Sequence, residues 1–147
     1  MSSLDDPSRI HELRALIQRK PALKNFYEQV YRRYQDCLEH CPKDGLAIEL
    51  GSGAGFVKKF IPEMITSDLL PYDGLDRVID GTRMPFGDSS LRIICMINVF
   101  HHIPDVERFL REAERCLKPG GRLLIVDQHP GWVSKPVYKY AHTEPFD

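Results

Sequence analysis

The feature that most constrains the fold is an unbroken apolar run in the second half of the chain, "RIICMIN", from Arg92 to Asn98. Such runs are typical of parallel strands that are covered on both faces. A helical segment follows it, "PDVERFLREAERCLKPGG", which Asp105 caps and which Gly120 and Gly121 end. The next segment, "RLLIVD", is again a strand. A strand, a helix and a strand in this order predict a right-handed unit of a parallel sheet.

The segments before this run continue the alternation. "LAIEL" and "MITSD" predict two strands, "GFVKKFIP" predicts a short helix between them that Pro62 ends, and "DRVID" predicts a third strand. The predicted fold class is therefore α/β, with a doubly wound, mainly parallel sheet. In such sheets ligands bind beyond the carboxyl ends of the strands.

The residues before Pro42 predict two helices instead. Asp6 and Pro7 open the first, which continues to about Arg19, and Pro21 opens the second. One face of the second helix carries an apolar stripe with three tyrosines: Leu23, Phe26, Tyr27, Val30, Tyr31, Tyr34 and Leu38. Two interpretations remain open. The stripe packs against the core, which we favour, or it forms a lid whose tyrosines line a ligand pocket.

Composition and charge exclude several classes of partner. With 147 residues the chain is about one domain, and a formal charge of -1 with interspersed signs predicts neither nucleic-acid nor membrane binding. No apolar run reaches the length of a signal peptide core or a membrane span, and Cys95 and Cys116 lie in patterns typical of buried free thiols. We therefore expect a cytoplasmic protein. "CLEHC" supplies three potential zinc ligands but no second pair, so we predict no metal site.

A glycine-rich turn follows the first predicted strand, in "AIELGSGAGF". Glycines at a strand end let the backbone approach a ligand, and two nucleotide cofactors commonly use such a site. The dinucleotide fingerprint G-x-G-x-x-G needs its third glycine at position 56, which is Phe56. The glycines stand instead at Gly51, Gly53 and Gly55, which weakens the hypothesis of a nicotinamide dinucleotide.

This spacing resembles the class I S-adenosylmethionine-dependent methyltransferases, in particular the small-molecule enzymes of type 11, whose first motif is an acid, an apolar residue and G-x-G-x-G. The resemblance continues through "DGTRMPF", the histidine-bearing turn "FHHIPD" and "LKPGG", and covers about residues 46–127. It implies a Rossmann-like sheet, the cofactor S-adenosyl-L-methionine and the product S-adenosyl-L-homocysteine.

The resemblance also implies which residues bind this cofactor. The glycines pass close under its methionine moiety, and Glu49 supports that loop or the cofactor amino group. Asp68 accepts hydrogen bonds from the ribose hydroxyls, and Asp80 accepts one from the adenine amine. Both acids have an alternative role as caps of a turn or helix. The full set of matched positions is Glu49, Gly51, Gly53, Gly55, Asp68, Leu69, Asp80, Gly81 and Asn98.

A general base is required only where the methyl acceptor must lose a proton. Four candidates follow the fourth and fifth predicted strands: His101, His102, Asp127 and His129. The histidine pair has the alternative role of packing a turn. The residues do not identify the acceptor beyond a small molecule.

The domain boundaries that we predict are an N-terminal helical segment (1–41), a cofactor-binding domain (42–130) and a C-terminal tail (131–147). The family normally adds two more strands after the fifth, which the residues after Asp127 are too short to supply. The fifth strand is then expected to associate with another copy or to be covered by the tail. Two functions are consistent with this organisation: a methyltransferase, or a module that binds the cofactor or its product without turnover.

Overall fold

A single parallel sheet with the strand order β3-β2-β1-β4-β5 forms the centre of the fold. The computed structural model describes residues 9–127. Its strands are β1 (Leu46–Leu50), β2 (Ile65–Asp68), β3 (Arg77–Val78), β4 (Leu91–Ile97) and β5 (Leu117–Val126). Its helices are α1 (Ile10–Arg19), α2 (Pro21–Glu39) and α3 (Val106–Cys116). From β1 the chain winds outward first in one direction and then in the other, which confirms the doubly wound α/β prediction.

The two faces of the sheet bury different residues because side chains alternate along a strand. Ala47, Ile93 and Cys95 pack on the side of α2, where Tyr31 and Tyr34 are completely buried. The opposite face packs against α3 through a second cluster: Ile48, Leu50, Ile94, Met96, Phe109 and Ala113. Of the two interpretations of the tyrosine stripe, packing against the core is therefore the correct one for Tyr31 and Tyr34.

Three predicted elements differ from the structure. "GFVKKFIP" forms only one 3₁₀ turn, Val57–Lys59, and the third strand has two residues rather than five. The helix before β5 ends at Cys116, because Leu117 already has extended backbone angles and pairs with Leu91. Gly121 thus lies within β5, where a side chain would meet the Lys118 carbonyl oxygen at 2.9 Å.

The helices and the potential metal ligands of residues 9–127 bear on two kinds of partner. Among the helices in this range, none is both long and apolar enough to cross a membrane. The same residues contain no cluster of three or more histidine, cysteine or acidic side chains that could hold a metal ion.

Candidate functional site

A cavity of about 600 Å³ lies at the carboxyl ends of the strands. Its size is typical of small-molecule sites. The loops after β1, β2, β3 and β4 all contribute to its wall, because parallel strands end at the same edge of the sheet. Of the cofactor residues implied by the sequence, the cavity wall contains Gly51, Gly53, Asp68, Leu69, Asp80 and Gly81.

The loop after β1, residues 51–56, contributes Gly51 and Gly53 to the cavity wall and needs glycine at both positions. Gly51 and Gly53 have φ angles of +62° and +44°, which side chains rarely adopt. A Cβ atom on Gly51 would lie 2.3 Å from Val99 Cγ2, whereas on Gly53 its nearest contact would be 3.9 Å away. Gly53 therefore leaves open space on the cavity side, as close approach of a ligand requires.

Asp68 connects this loop to the end of β2. Its Oδ2 atom accepts a hydrogen bond from the Gly53 amide at 3.1 Å, and its Oδ1 atom accepts one from the Leu69 amide at 2.8 Å. Leu69 itself is 65% exposed on the cavity wall. The capping role and a role in ligand binding are compatible here, since a carboxylate has about four acceptor positions.

Asp80 follows β3 and also caps a turn. Its Oδ1 atom accepts hydrogen bonds from the Thr82 amide and the Thr82 hydroxyl, both at 2.8 Å. These hydrogen bonds lower the pKa of Asp80 below its ordinary value, so the group is ionised at neutral pH. The neighbouring Gly81 lies against Phe109, with only 3.3 Å available for a Cβ atom. Asp80 stands two residues after the strand rather than at its end.

Glu49 is on β1, directly below the loop, and is 2% exposed. Burial raises the pKa of Glu49 to about 8, and the nearby Ser52 and Tyr34 side chains limit the rise. Its Oε2 atom finds no hydrogen-bond partner among residues 9–127. Glu49 is thus a buried acid with an unused acceptor, outside the cavity wall.

Gly55 and Asn98 are also not part of the cavity wall. Gly55 packs against the Tyr31 hydroxyl, which would be 2.6 Å from a Cβ atom. Asn98 has a φ of +54° directly after β4, and its backbone amide donates a hydrogen bond to the Val126 carbonyl oxygen at 2.8 Å. Its neighbour Val99 does line the cavity.

The histidine pair lies in the turn after β4. The Nδ1 atom of His101 donates to Asp127 Oδ1 at 2.6 Å, and its backbone amide donates to Oδ2 at 3.0 Å. The His101 and His102 rings are 3.9 Å apart, and His102 lines the cavity. The structure thus brings together three of the four base candidates, while His129 lies outside the described residues.

Several residues of the wall were not predicted from the sequence: Ile10, Leu70, Tyr72, Thr82, Ile103 and Pro104. Ile10 begins α1 and is far from the glycine loop in sequence, so no local pattern could place it at the cavity. Burial raises the pKa of Tyr72 above its ordinary value, with a further contribution from Asp68. The signal that could have found Tyr72 is its position four residues after Asp68.

Comparisons with known proteins point to one family. A family model described as a methyltransferase domain matches residues 48–125. The chain is 38% identical over 56 residues to the 27-O-demethylrifamycin SV methyltransferase of Amycolatopsis mediterranei. That alignment covers 35% of this chain and 21% of the enzyme, so the matched segment spans about a fifth of the relative.

Two solved structures show the same fold. An S-adenosylmethionine-dependent methyltransferase from Aquifex aeolicus is similar with a TM-score of 0.60 and 22% identity, covering 86% of this chain and 74% of that one. The geranyl diphosphate C-methyltransferase of Streptomyces coelicolor is similar with a TM-score of 0.57 and 14% identity, covering 80% of this chain and 54% of that one. It was solved with Mg²⁺, geranyl diphosphate and S-adenosyl-L-homocysteine.

Proposed function

The chain belongs to the methyltransferase domain family, and on that premise we propose that it transfers a methyl group from S-adenosyl-L-methionine to a small-molecule acceptor. The observation that carries the proposal is the cavity at the strand ends, which unites the glycine loop with Asp68 and Asp80. The cofactor is a nucleoside that carries an amino-acid arm, and three separate loops that meet at one cavity can contact its different parts.

The residues present fit this cofactor. Gly53 leaves space for a ligand, Asp68 and Asp80 present carboxylates on the cavity wall, and the exposed Leu69 offers an apolar surface for a base. Below the loop, the Oε2 atom of Glu49 has no hydrogen-bond partner among residues 9–127. The set matches a ligand that carries hydroxyls, an aromatic base and positive charge.

When bound, the cofactor supplies an electrophilic methyl group on a sulfonium, so that the protein contributes alignment and exclusion of water. Gly51 and Gly53 bind the methionine end in this proposal, and Asp68 with Leu69 binds the nucleoside end. Asp80 and Gly81 orient the base. Asn98 acts through the backbone turn that places Val99 on the wall.

We assign acid–base chemistry to the turn after β4. The hydrogen bond to Asp127 fixes the proton of His101 on Nδ1 and leaves its Nε2 as an acceptor in the neutral ring. His102, in contact with His101, lies on the cavity wall. An acceptor that must lose a proton from oxygen or nitrogen is therefore expected to depend on this pair.

Calorimetry followed by a transfer assay tests the proposal. We expect the chain to bind S-adenosyl-L-methionine and S-adenosyl-L-homocysteine, and to move a labelled methyl group into a small-molecule extract. Binding without transfer would identify a binding module instead, and stronger binding of NAD would support a dehydrogenase.

Substitution of the base candidates refines the test. We expect His101→Gln and Asp127→Asn to lower the transfer rate about 100-fold or more for an acceptor that loses a proton, with cofactor affinity unchanged. If both variants transferred the methyl group at the wild-type rate, His101 and Asp127 would have no role in the mechanism.

The cysteines bear on where the activity takes place. All four are free thiols, which supports a cytoplasmic location in this proposal.

A further inference from the structure

Tyr31, on α2, reaches the far end of the glycine loop from outside the segment that the family model matches. The side chain is completely buried, and its hydroxyl accepts a hydrogen bond from the Phe56 amide at 2.9 Å. The Tyr31 and Phe56 rings meet edge to face, with centroids 5.1 Å apart. A polar and an aromatic contact therefore join α2 to the last residue of the loop.

This tyrosine and the Ser52 carbonyl together explain the third glycine of the motif. A Cβ atom on Gly55 would lie 2.6 Å from the Tyr31 hydroxyl and 2.8 Å from the Ser52 carbonyl oxygen. The φ of Gly55 is outside the left-handed region, so the backbone angle does not demand glycine. Space does, and much of that space is filled by the Tyr31 hydroxyl.

The opposite end of the loop is held by β2. The Ser52 amide donates to the Ser67 carbonyl oxygen at 2.8 Å, and the Gly53 amide donates to Asp68 at 3.1 Å. β2 thus holds the first half of the loop, at Ser52 and Gly53, and Tyr31 holds its last residue, Phe56.

We propose that Tyr31 is a positioning residue for the cofactor: its hydroxyl holds residues 51–56 in the conformation that binds S-adenosyl-L-methionine. The inference deepens the proposed function, on which it rests. It assigns α2 a role in cofactor affinity in addition to its role in the core.

The expected size follows from population arithmetic. The apparent dissociation constant is inversely proportional to the fraction of molecules whose loop is in the binding-competent conformation. One net hydrogen bond corresponds to about a tenfold change in such an equilibrium. Removing the hydroxyl should therefore weaken binding by up to about tenfold, and the full loss is reached when the variant loop is mostly outside the binding-competent conformation.

The test compares Tyr31→Phe with Tyr27→Phe, and uses S-adenosyl-L-homocysteine as the probe in calorimetry at 20 °C or below. Tyr27 belongs to the same aromatic cluster, and its hydroxyl makes no hydrogen bond within residues 9–127. We expect an affinity loss of up to about tenfold in Tyr31→Phe, larger than the loss in Tyr27→Phe, which should stay below about twofold. Equal affinity of Tyr31→Phe and the wild type would overturn the inference while leaving the proposed function intact.

Hydrogen exchange adds a second readout, and its wild-type measurement does not depend on a variant folding. In the wild type, the Phe56 amide should be protected, and in Tyr31→Phe its protection should fall about tenfold and recover when the probe is added. An unprotected Phe56 amide in the wild type would overturn the inference. A wild type that binds no probe at all would instead contradict the proposed function, and the inference with it.

Discussion

Glu49 should make the stability of this protein fall as the pH rises towards neutrality. Its folded pKa of about 8 lies above the ordinary value of about 4.3 for glutamate in an unfolded chain. The folded state therefore binds one more proton than the unfolded state between these values. The stabilisation is complete below about pH 4.5 and is lost as the pH rises through about 8.

The neighbours of Glu49 make this titration identifiable. Tyr27, Tyr31 and Tyr34 face it from α2, and Cys95 faces it from β4. Burial raises the pKa of each of these groups above its ordinary value, so all four stay neutral in the window. Glu49 is then the group of this cluster that changes charge.

The magnitude follows from linkage. One proton contributes about 1.4 kcal/mol per pH unit, so the free energy of unfolding should fall by up to about 3 kcal/mol between about pH 5.5 and about pH 7.5. In Glu49→Gln this slope should disappear, because the amide does not titrate. Urea denaturation followed by far-UV circular dichroism at several pH values measures it.

Glu107→Gln is the matched control, since the Glu107 side chain is 76% exposed on α3. It should retain the wild-type slope. The reasoning would be refuted if Glu49→Gln kept the wild-type slope, or if the wild type showed no loss of stability across the window. Carboxyl ¹³C shifts of Glu49, recorded over the same pH range, report the pKa directly.

Three further predictions concern the loop and the sheet edge. Asp68→Ala should weaken S-adenosyl-L-homocysteine binding about tenfold or more, and it should cost about 1 kcal/mol of stability because the Gly53 amide loses its acceptor. Asp68→Asn should restore most of the stability but not the affinity. Calorimetry and melting curves on both variants check this. Gly51→Ala should be more destabilising than Gly74→Ala by about 1 kcal/mol or more in urea denaturation, because both have positive φ but only Gly51 faces Val99; equal costs would contradict the close contact. The 147-residue chain should associate through β5 in light scattering unless the C-terminal tail covers that strand, and a strict monomer that stays monomeric after proteolytic removal of the tail would count against the edge prediction.

Short-range patterns were sufficient for the order of the elements and for the edge of the sheet at which the cavity lies. The apolar run of β4 predicted a strand buried on both faces, and its core residues Ile93–Met96 are indeed fully buried. The motif glycines predicted a loop at the carboxyl edge, since strand ends and helix starts are local properties of the chain. Of the nine implied cofactor positions, six meet at one cavity for this reason.

Contacts between distant residues decided the rest. The end of α3 at Cys116 depends on the pairing of Leu117 with Leu91, which overrides the glycine signal further on. Sequence spacing treats Gly55 as a third ligand-facing glycine, but the structure packs it against Tyr31, 24 residues earlier in the chain. The burial of Glu49, which raises its pKa, likewise arises only when α2 covers the sheet. Local sequence determines where strands and turns form, whereas the packing of α2 on the sheet determines which atoms of the loop face the cavity and which face the core.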